Sequence, residues 1–214
     1  MKVLLINGSP HEKSCTYTAL SEVAKALEEE GIETEIFYIG MKPISGCIDC
    51  KKCFGKEKPQ CVFDDVVNVV AEKLSQADGL IVGSPVYTAS PNGTLIALLD
   101  RLFRIFRQSA QEGGLAFKPA AAVVSARRAG TTASLDVLNK YFLSSCMPVV
   151  ASQQYWNIVH GYTPDDVRQD EEGVQTMRTL GKNMAWLLKC IHQGAENGIQ
   201  HPVAEERKRT NFIR

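Results

Sequence analysis

Short apolar runs alternate with amphipathic helical stretches along this 214-residue chain, and that alternation limits the fold more than any other feature. Lys2-Val-Leu-Leu-Ile6 runs into a turn signal and reads as a buried strand. Leu20, Val23, Ala24 and Leu27 then recur at helical spacing, and Gly31 is placed to end that helix in a left-handed conformation. Residues 32–39 alternate apolar and polar and read as a second strand. Residues 40–63 form a cysteine-bearing loop, and Asp64-Asp65 supply N-cap chemistry for a helix through Val66, Val69, Val70 and Leu74. Residues 79–83, 120–125 and 148–153 predict strands three, four and five. Between and after them lie helices opened by Pro91-Asn92, over 131–146 and over 170–193.

Strand–helix alternation of this kind gives a parallel sheet with helices on both faces, because a crossover helix must return the chain to the same end. The expectation is an α/β three-layer sandwich with a five-stranded parallel sheet in the order 2-1-3-4-5. Residues 1–193 make one domain, with 40–63 as an inserted loop and 194–214 as a C-terminal arm. Ligands of such sheets lie beyond the carboxyl ends of the strands, where strand order reverses. The loops after strands one, three and four therefore carry the functional question.

Charge excludes several classes of partner. Lys+Arg and Asp+Glu both number 24, so nothing marks a nucleic-acid or anionic-membrane surface. The basic run at 206–209 reads as a solvated tail. No apolar run approaches the roughly 20 residues of a membrane span, and the start lacks a signal peptide's apolar region, which points to the cytoplasm.

The first loop, Asn7-Gly-Ser-Pro-His-Glu-Lys-Ser-Cys-Thr-Tyr-Thr18, is neither a dinucleotide fingerprint nor a P-loop. It sets Ser9, Ser14, Thr16 and Thr18 around a helix N-terminus, where backbone N–H groups and hydroxyls suit a monophosphate. The plainer reading is that Ser14 only caps the helix. His11 reads as an exposed loop residue or a phosphate contact. The third loop, Ser84-Pro-Val-Tyr-Thr-Ala-Ser-Pro-Asn-Gly93, offers amides and Tyr87 to a planar heterocycle. The fourth, from Ser125 to Thr132, holds Arg127 and Arg128, either solvated or placed to balance an electron-rich ligand.

GSPHEKSCT, followed some 70 residues later by GSPVYTASPNGTLIALLDR, resembles the flavodoxin-like NADPH-dependent FMN reductase superfamily over residues 1–155. The resemblance implies that Ser9, Ser14 and Thr16, with His11 and Cys15 beside them, surround an FMN phosphate. It implies that Pro85, Val86, Tyr87, Thr88 and Ala89 border the isoalloxazine, and that Ser125, Arg127 and Gly130 cover its far edge. The family usually has Arg or Lys where His11 stands and Asn where Cys15 stands.

Cys47, Cys50, Cys53 and Cys61 follow the spacing C-x2-C-x2-C-x7-C. Such thiols can hold an iron–sulfur cubane, a structural zinc, or no metal at all as redox-active groups. The position of the motif resembles the iron–sulfur flavoprotein branch of the superfamily, which implies a [4Fe–4S] cluster. Cys15, Cys146 and Cys190 stand apart, the last two expected as buried structural thiols. Tyr155, Trp156, His160 and Tyr162 concentrate after the fifth strand, as a subunit contact, a flavin roof or a loop packed on its own domain.

These readings imply an FMN-dependent oxidoreductase. It would accept hydride from NAD(P)H and pass electrons to a quinone, another small molecule or a redox protein, by way of a [4Fe–4S] cluster. No side chain is required as acid or base. The resemblance implies a homodimer or homotetramer. The alternatives are a non-enzymatic iron–sulfur/flavin electron carrier between partner proteins, and a zinc-stabilised module without flavin.

Overall fold

The computed structural model describes residues 1–108, 114–153, 155–203, 205, 208 and 210. Five parallel strands form the sheet: β1 (Lys2–Asn7), β2 (Glu33–Tyr38), β3 (Gly79–Tyr87), β5 (Ala120–Ala126) and β6 (Ile158–His160), in the order β2-β1-β3-β5-β6. A two-residue strand, β4 (Ser90–Pro91), folds back antiparallel on the end of β3. With β4 set aside, this is the expected 2-1-3-4-5 order.

Side chains alternate across the sheet and divide the core in two. Leu4 and Ile6 of β1, with Leu80, Val82, Ala122 and Val124, face α2 (Val66–Ser75), α3 (Gly93–Gln108) and α4 (Thr131–Leu143). Val3, Leu5, Ile81, Ala121 and Val123 face α1 (Cys15–Glu29), α5 (Pro164–Gln169) and α6 (Glu171–Glu196). The central strands are buried on both faces, which is why they read as unbroken apolar runs. α1 ends as expected, with Gly31 at a φ of +79°. α5 was not foreseen. Thr163 starts it with a capping box whose other half is Asp166, a signal present in the sequence Thr-Pro-Asp-Asp.

The fifth strand differs from the expectation. Residues 148–153 make a single bridge, Val149 to Ala120, held by bonds from Ala120 N to Pro148 O and from Val150 N to Ala120 O. The chain then leaves the sheet and rejoins it at β6, with Ile158 opposite Val124. The edge partner advances from Val149 to Ile158 while β5 advances only from Ala120 to Val124. The detour is closed by Asn157 Nδ2, which donates to Val150 O at 3.2 Å. A local apolar run at 148–150 looks like a strand, but the register that buries Val159 completely decides the pairing.

Two further expectations fail. Cys146 and Cys190 are exposed rather than buried. Cys146 sits past the end of α4 with a φ of +57°, and Cys190 lies on the outer face of α6. Among the described residues no helix is long and apolar enough to cross a membrane.

α6 packs directly on α1 through Gly181. A Cβ there would stand 2.7 Å from Ala26 Cβ and 2.7 Å from Val23 O, neither of which can swing away. Gly181→Ala should therefore lower stability by about 1–3 kcal/mol despite alanine's better helix propensity. Urea unfolding of the variant beside the parent measures it, and an unchanged midpoint would contradict this packing account.

Candidate functional site at the carboxyl edge of the sheet

The carboxyl ends of β1 and β3 touch through backbone. Gly8 N donates to Gly83 O at 2.9 Å, and a Cβ on Gly8 would meet Leu95 Cδ2 at 2.6 Å. Gly83 is equally closed, with Leu20 and Thr16 side chains within 3 Å of a built Cβ. Asn92 bridges the same point: its Nδ2 donates to Gly8 O at 2.7 Å, its backbone N to Ser84 Oγ at 3.0 Å, and its Oδ1 accepts from Thr94 N at the start of α3. Sequence reasoning did not single out Asn92 beyond opening the helix.

The first loop is stiffened from inside. Asn7 Oδ1 accepts from Ser9 N at 3.1 Å, its Nδ2 donates to Glu12 O at 2.9 Å, and Ser9 Oγ accepts from His11 N at 3.1 Å. Tyr38 Oη, on the neighbouring β2, donates to Pro10 O at 2.7 Å. Ser9 is buried, His11 exposed. Ser14 is the N-cap of α1 and accepts from Tyr17 N, so the plain capping role is met. Lys13 lies with its Nζ 3.8 Å from the Tyr17 ring, and its hydrogen bond to that phenol pulls the tyrosine pKa down. The loop thus carries a cation as well as hydroxyls.

Thr16 and Ser125 meet across the site. Their hydroxyls are 2.8 Å apart and both residues are buried, joining the first turn of α1 to the end of β5. Cys15 Sγ lies 3.8 Å from Gly161 O, just past β6, and burial pushes this thiol's pKa up. Gly130 precedes α4 at a φ of +94°. A Cβ there would stand 2.7 Å from Ala89 Cα and 2.9 Å from Val86 Cγ1, so the fourth loop rests on the third. Arg127 reaches outward, its guanidinium carbon 6.0 Å from the Tyr162 ring. Pro85 and Val86 are half-buried, while Tyr87, Thr88 and Ala89 are exposed. Burial raises the Tyr87 pKa, and the nearby Cys15 adds to the shift.

Thr88 and Ala89 join β3 to β4, and both are left-handed, at φ of +48° and +56°. Two consecutive positive φ values define a type I′ hairpin turn, which Asn-Gly or Gly-Gly adopts without strain. A β-branched residue in this conformation costs about 1–2 kcal/mol. Strain of this sort persists where the surroundings over-determine it and collects at ligand sites.

The four clustered cysteines line one cavity, together with Phe63, Arg101, Arg104 and Ile105. Cys53 is buried, and burial pushes its thiol up against the opposing pull of Arg104. Among the described residues no three His, Cys, Asp or Glu are grouped as the ligands of one ion. Arg101, which ends the third-loop motif and carries no role in the sequence pattern, is the largest fully buried side chain among the described residues, 1% exposed. Asp65 does more than cap α2. It does accept from Val67 N, but it also takes Arg101 in a two-bonded fork, Nη1 to Oδ2 at 2.6 Å and Nη2 to Oδ1 at 2.9 Å. Arg101 Nε donates to Cys61 Sγ at 3.3 Å. Burial works to lower the Arg101 pKa, but the bonds to Asp65 and Cys61 outweigh it and hold the guanidinium above its ordinary value. One turn on, Arg104 pairs with Asp49, between Cys47 and Cys50, and covers Phe54. The sequence signal was an arginine among the buried positions of an otherwise apolar helix face.

The sequence profile of the NADPH-dependent FMN reductase family matches residues 1–162. An iron-sulfur flavoprotein of Methanocaldococcus jannaschii is 35% identical over 198 residues, spanning 89% of this chain and 99% of that one. An iron-sulfur flavoprotein of Archaeoglobus fulgidus is 30% identical over 189 residues, with 86% and 95% covered. Among solved structures, an NAD(P)H:quinone oxidoreductase from Methanothermobacter marburgensis superposes with a TM-score of 0.64 at 17% identity, covering 86% of this chain and 96% of that one. That likeness, with an archaeal flavodoxin at a TM-score of 0.58, identifies the fold as flavodoxin-like. The chain belongs to the NADPH-dependent FMN reductase family.

Proposed function

We propose that this FMN-dependent oxidoreductase takes hydride from NAD(P)H and passes electrons to a small-molecule or protein acceptor by way of a [4Fe–4S] cluster on Cys47, Cys50, Cys53 and Cys61. One observation carries the reading: the four thiols line a single cavity against α3, the helix whose start also meets the first loop through Asn92. FMN, when bound, supplies a centre that accepts hydride and releases electrons singly, and a cluster supplies a one-electron relay.

The residues fit both groups. Ser9, Ser14 and Thr16, with His11 and Cys15 beside them, surround the phosphate at the α1 N-terminus, where N–H groups and the helix dipole favour an anion. In the Thr16–Ser125 pair one hydroxyl donates to the other, which leaves one hydrogen free for a ligand oxygen. The backbone from Pro85 to Ala89 borders the ring, and the left-handed turn aims its amides at the ring edge. Gly130 lets the fourth loop close on that turn, and Arg127 adds positive charge where an electron-rich ring would sit. For the cluster, the donor set is all sulfur, and the cavity walls add Phe63, Ile105 and the cations Arg101 and Arg104, with Asp49 paired to Arg104. α3 connects the two sites. Asn92 touches the first loop and Arg101 the cysteines, roughly 13 Å apart along the helix axis.

The family's usual association and the exposed Tyr155, Trp156 and Tyr162 support a homo-oligomer. Residues 1–193 would form the cofactor-binding domain in a cytoplasmic protein; α6 runs on to Glu196, and most of 204–214 lies outside the described residues.

Protein purified without oxygen is expected to contain about four irons per chain besides one FMN, and to oxidise NADH or NADPH when given a quinone. Iron-free protein removes the cluster from the reading. Iron- and flavin-loaded protein that turns over neither nicotinamide removes the enzyme. Ser9→Ala with Thr16→Ala should weaken FMN binding at least tenfold, about 1.4 kcal/mol, by fluorescence titration. Thr88→Gly should raise the stability of FMN-free protein by about 1 kcal/mol while weakening FMN binding. A variant that gains neither stability nor a changed affinity refutes the functional account of the turn.

A further inference from the structure

Cys61 is held differently from the other three cysteines. Asn68 clamps its backbone from both sides: Oδ1 accepts from Cys61 N at 2.8 Å and Nδ2 donates to Cys61 O at 3.3 Å. Its sulfur accepts from Arg101 Nε at 3.3 Å. Cys47 and Cys50 are exposed on the loop, where Asp49 and Lys51 between and beside them are left-handed.

Arg101 is itself fixed on every side. Asp65 takes both terminal nitrogens, Ser45 O accepts from Nη1 at 3.4 Å, and the Phe63 ring lies 4.8 Å from the guanidinium carbon. A fully buried cation is expensive and is normally excused by a carboxylate. The fork to Asp65 meets that need. The remaining Nε–H is directed at a sulfur, a poor acceptor when neutral and a far better one as a thiolate bound to metal.

We propose that Arg101 is a positioning residue that raises the reduction potential of the group held by the four thiolates, through its charge and its Nε–H···Sγ bond to Cys61, with Asp65 moderating the effect. The proposal rests on the cluster reading above. Reduction adds negative charge to the thiolate-bound group, so a fixed cation and a sulfur-directed N–H favour the reduced form, and a nearby carboxylate opposes it. The two partners must therefore shift the potential in opposite directions, which a purely structural role would not produce.

The test uses full-length protein purified anaerobically, with iron counted and the midpoint read by EPR-monitored redox titration. Arg101→Met removes the charge and the bond at similar volume. It should shift the reduced-to-oxidised ratio at fixed potential at least tenfold toward oxidised, a fall of 59 mV for a one-electron couple. Asp65→Asn keeps the cap on α2, because asparagine caps as well as aspartate, and should move the midpoint upward. Unchanged midpoints in iron-loaded variants overturn the proposal and leave the cluster reading standing. If Arg101→Met fails to retain iron, Asp65→Asn decides alone: an upward shift supports the proposal, and no shift or a downward one overturns it. Iron-free parent protein overturns the cluster reading and this proposal together.

Discussion

The architecture hangs on the backbone contact between Gly8 and Gly83, where β1 and β3 end side by side. Strand order reverses about β1, since the chain steps from β1 to β2 on one side and then across to β3 on the other. The two connecting paths part at that point and leave a crevice. Any side chain at either glycine would fill it, colliding with Leu95 at one and with Leu20 and Thr16 at the other. Because the contact is so close, α1 and α3 both start within reach of the same space, one with hydroxyls and the other with Asn92.

α3 then carries that geometry outward. Its start is tied to the first loop through Asn92, and its third and fourth turns meet the cysteine loop through Arg101 and Arg104. A helix is stiff over this length, so the two candidate sites are fixed relative to each other by one element. The cysteine loop contributes little regular structure of its own. Its placement depends on long side chains reaching from α3 and on Asp65 and Asn68 reaching from α2. Replacing Arg101 and its half-exposed partner Asp65 together with apolar groups need not cost stability, whereas removing Asp65 alone leaves the buried charge uncompensated. The pair is better explained by what it directs at Cys61 than by the stability it adds.

Much of this was legible in the residues. Strand order followed from alternation and from the run lengths of β1, β3 and β5, and Asp65 and Gly31 announced helix ends. The division of the cofactor loops followed from the rule that ligands sit at strand carboxyl ends. What escaped was non-local. The split edge strand depends on which of two apolar runs, around Val149 or around Val159, finds the register of β5, and local pattern cannot rank them. Arg101 escaped because the periodicity of α3 reports a buried face without reporting what a charged residue on it will meet. Its partners, Asp65 and Cys61, lie about forty residues earlier in the chain. Cys146 and Cys190 were misjudged because cysteine's general preference for burial says nothing about a particular helix end or outer face.

The two candidate sites are built on opposite physical principles. At the 85–89 segment the chain accepts strain: a threonine and an alanine occupy a turn that glycine would fill without penalty, and the fourth loop closes over it through the one residue that could, Gly130. Side chains at 88 and 89 stiffen that turn, since glycine there would gain freedom in the unfolded and the ligand-free states alike. At Cys61 the chain accepts the desolvation of a guanidinium, and gives each of its three nitrogens a partner. Strain suits a surface that must present backbone amides to a planar ligand in one orientation. A buried cation held at each nitrogen suits a ligand whose charge changes while its position does not. If the two sites hold FMN and a cluster as proposed, the contrast follows from what each has to hold still: backbone direction in one, electric potential in the other.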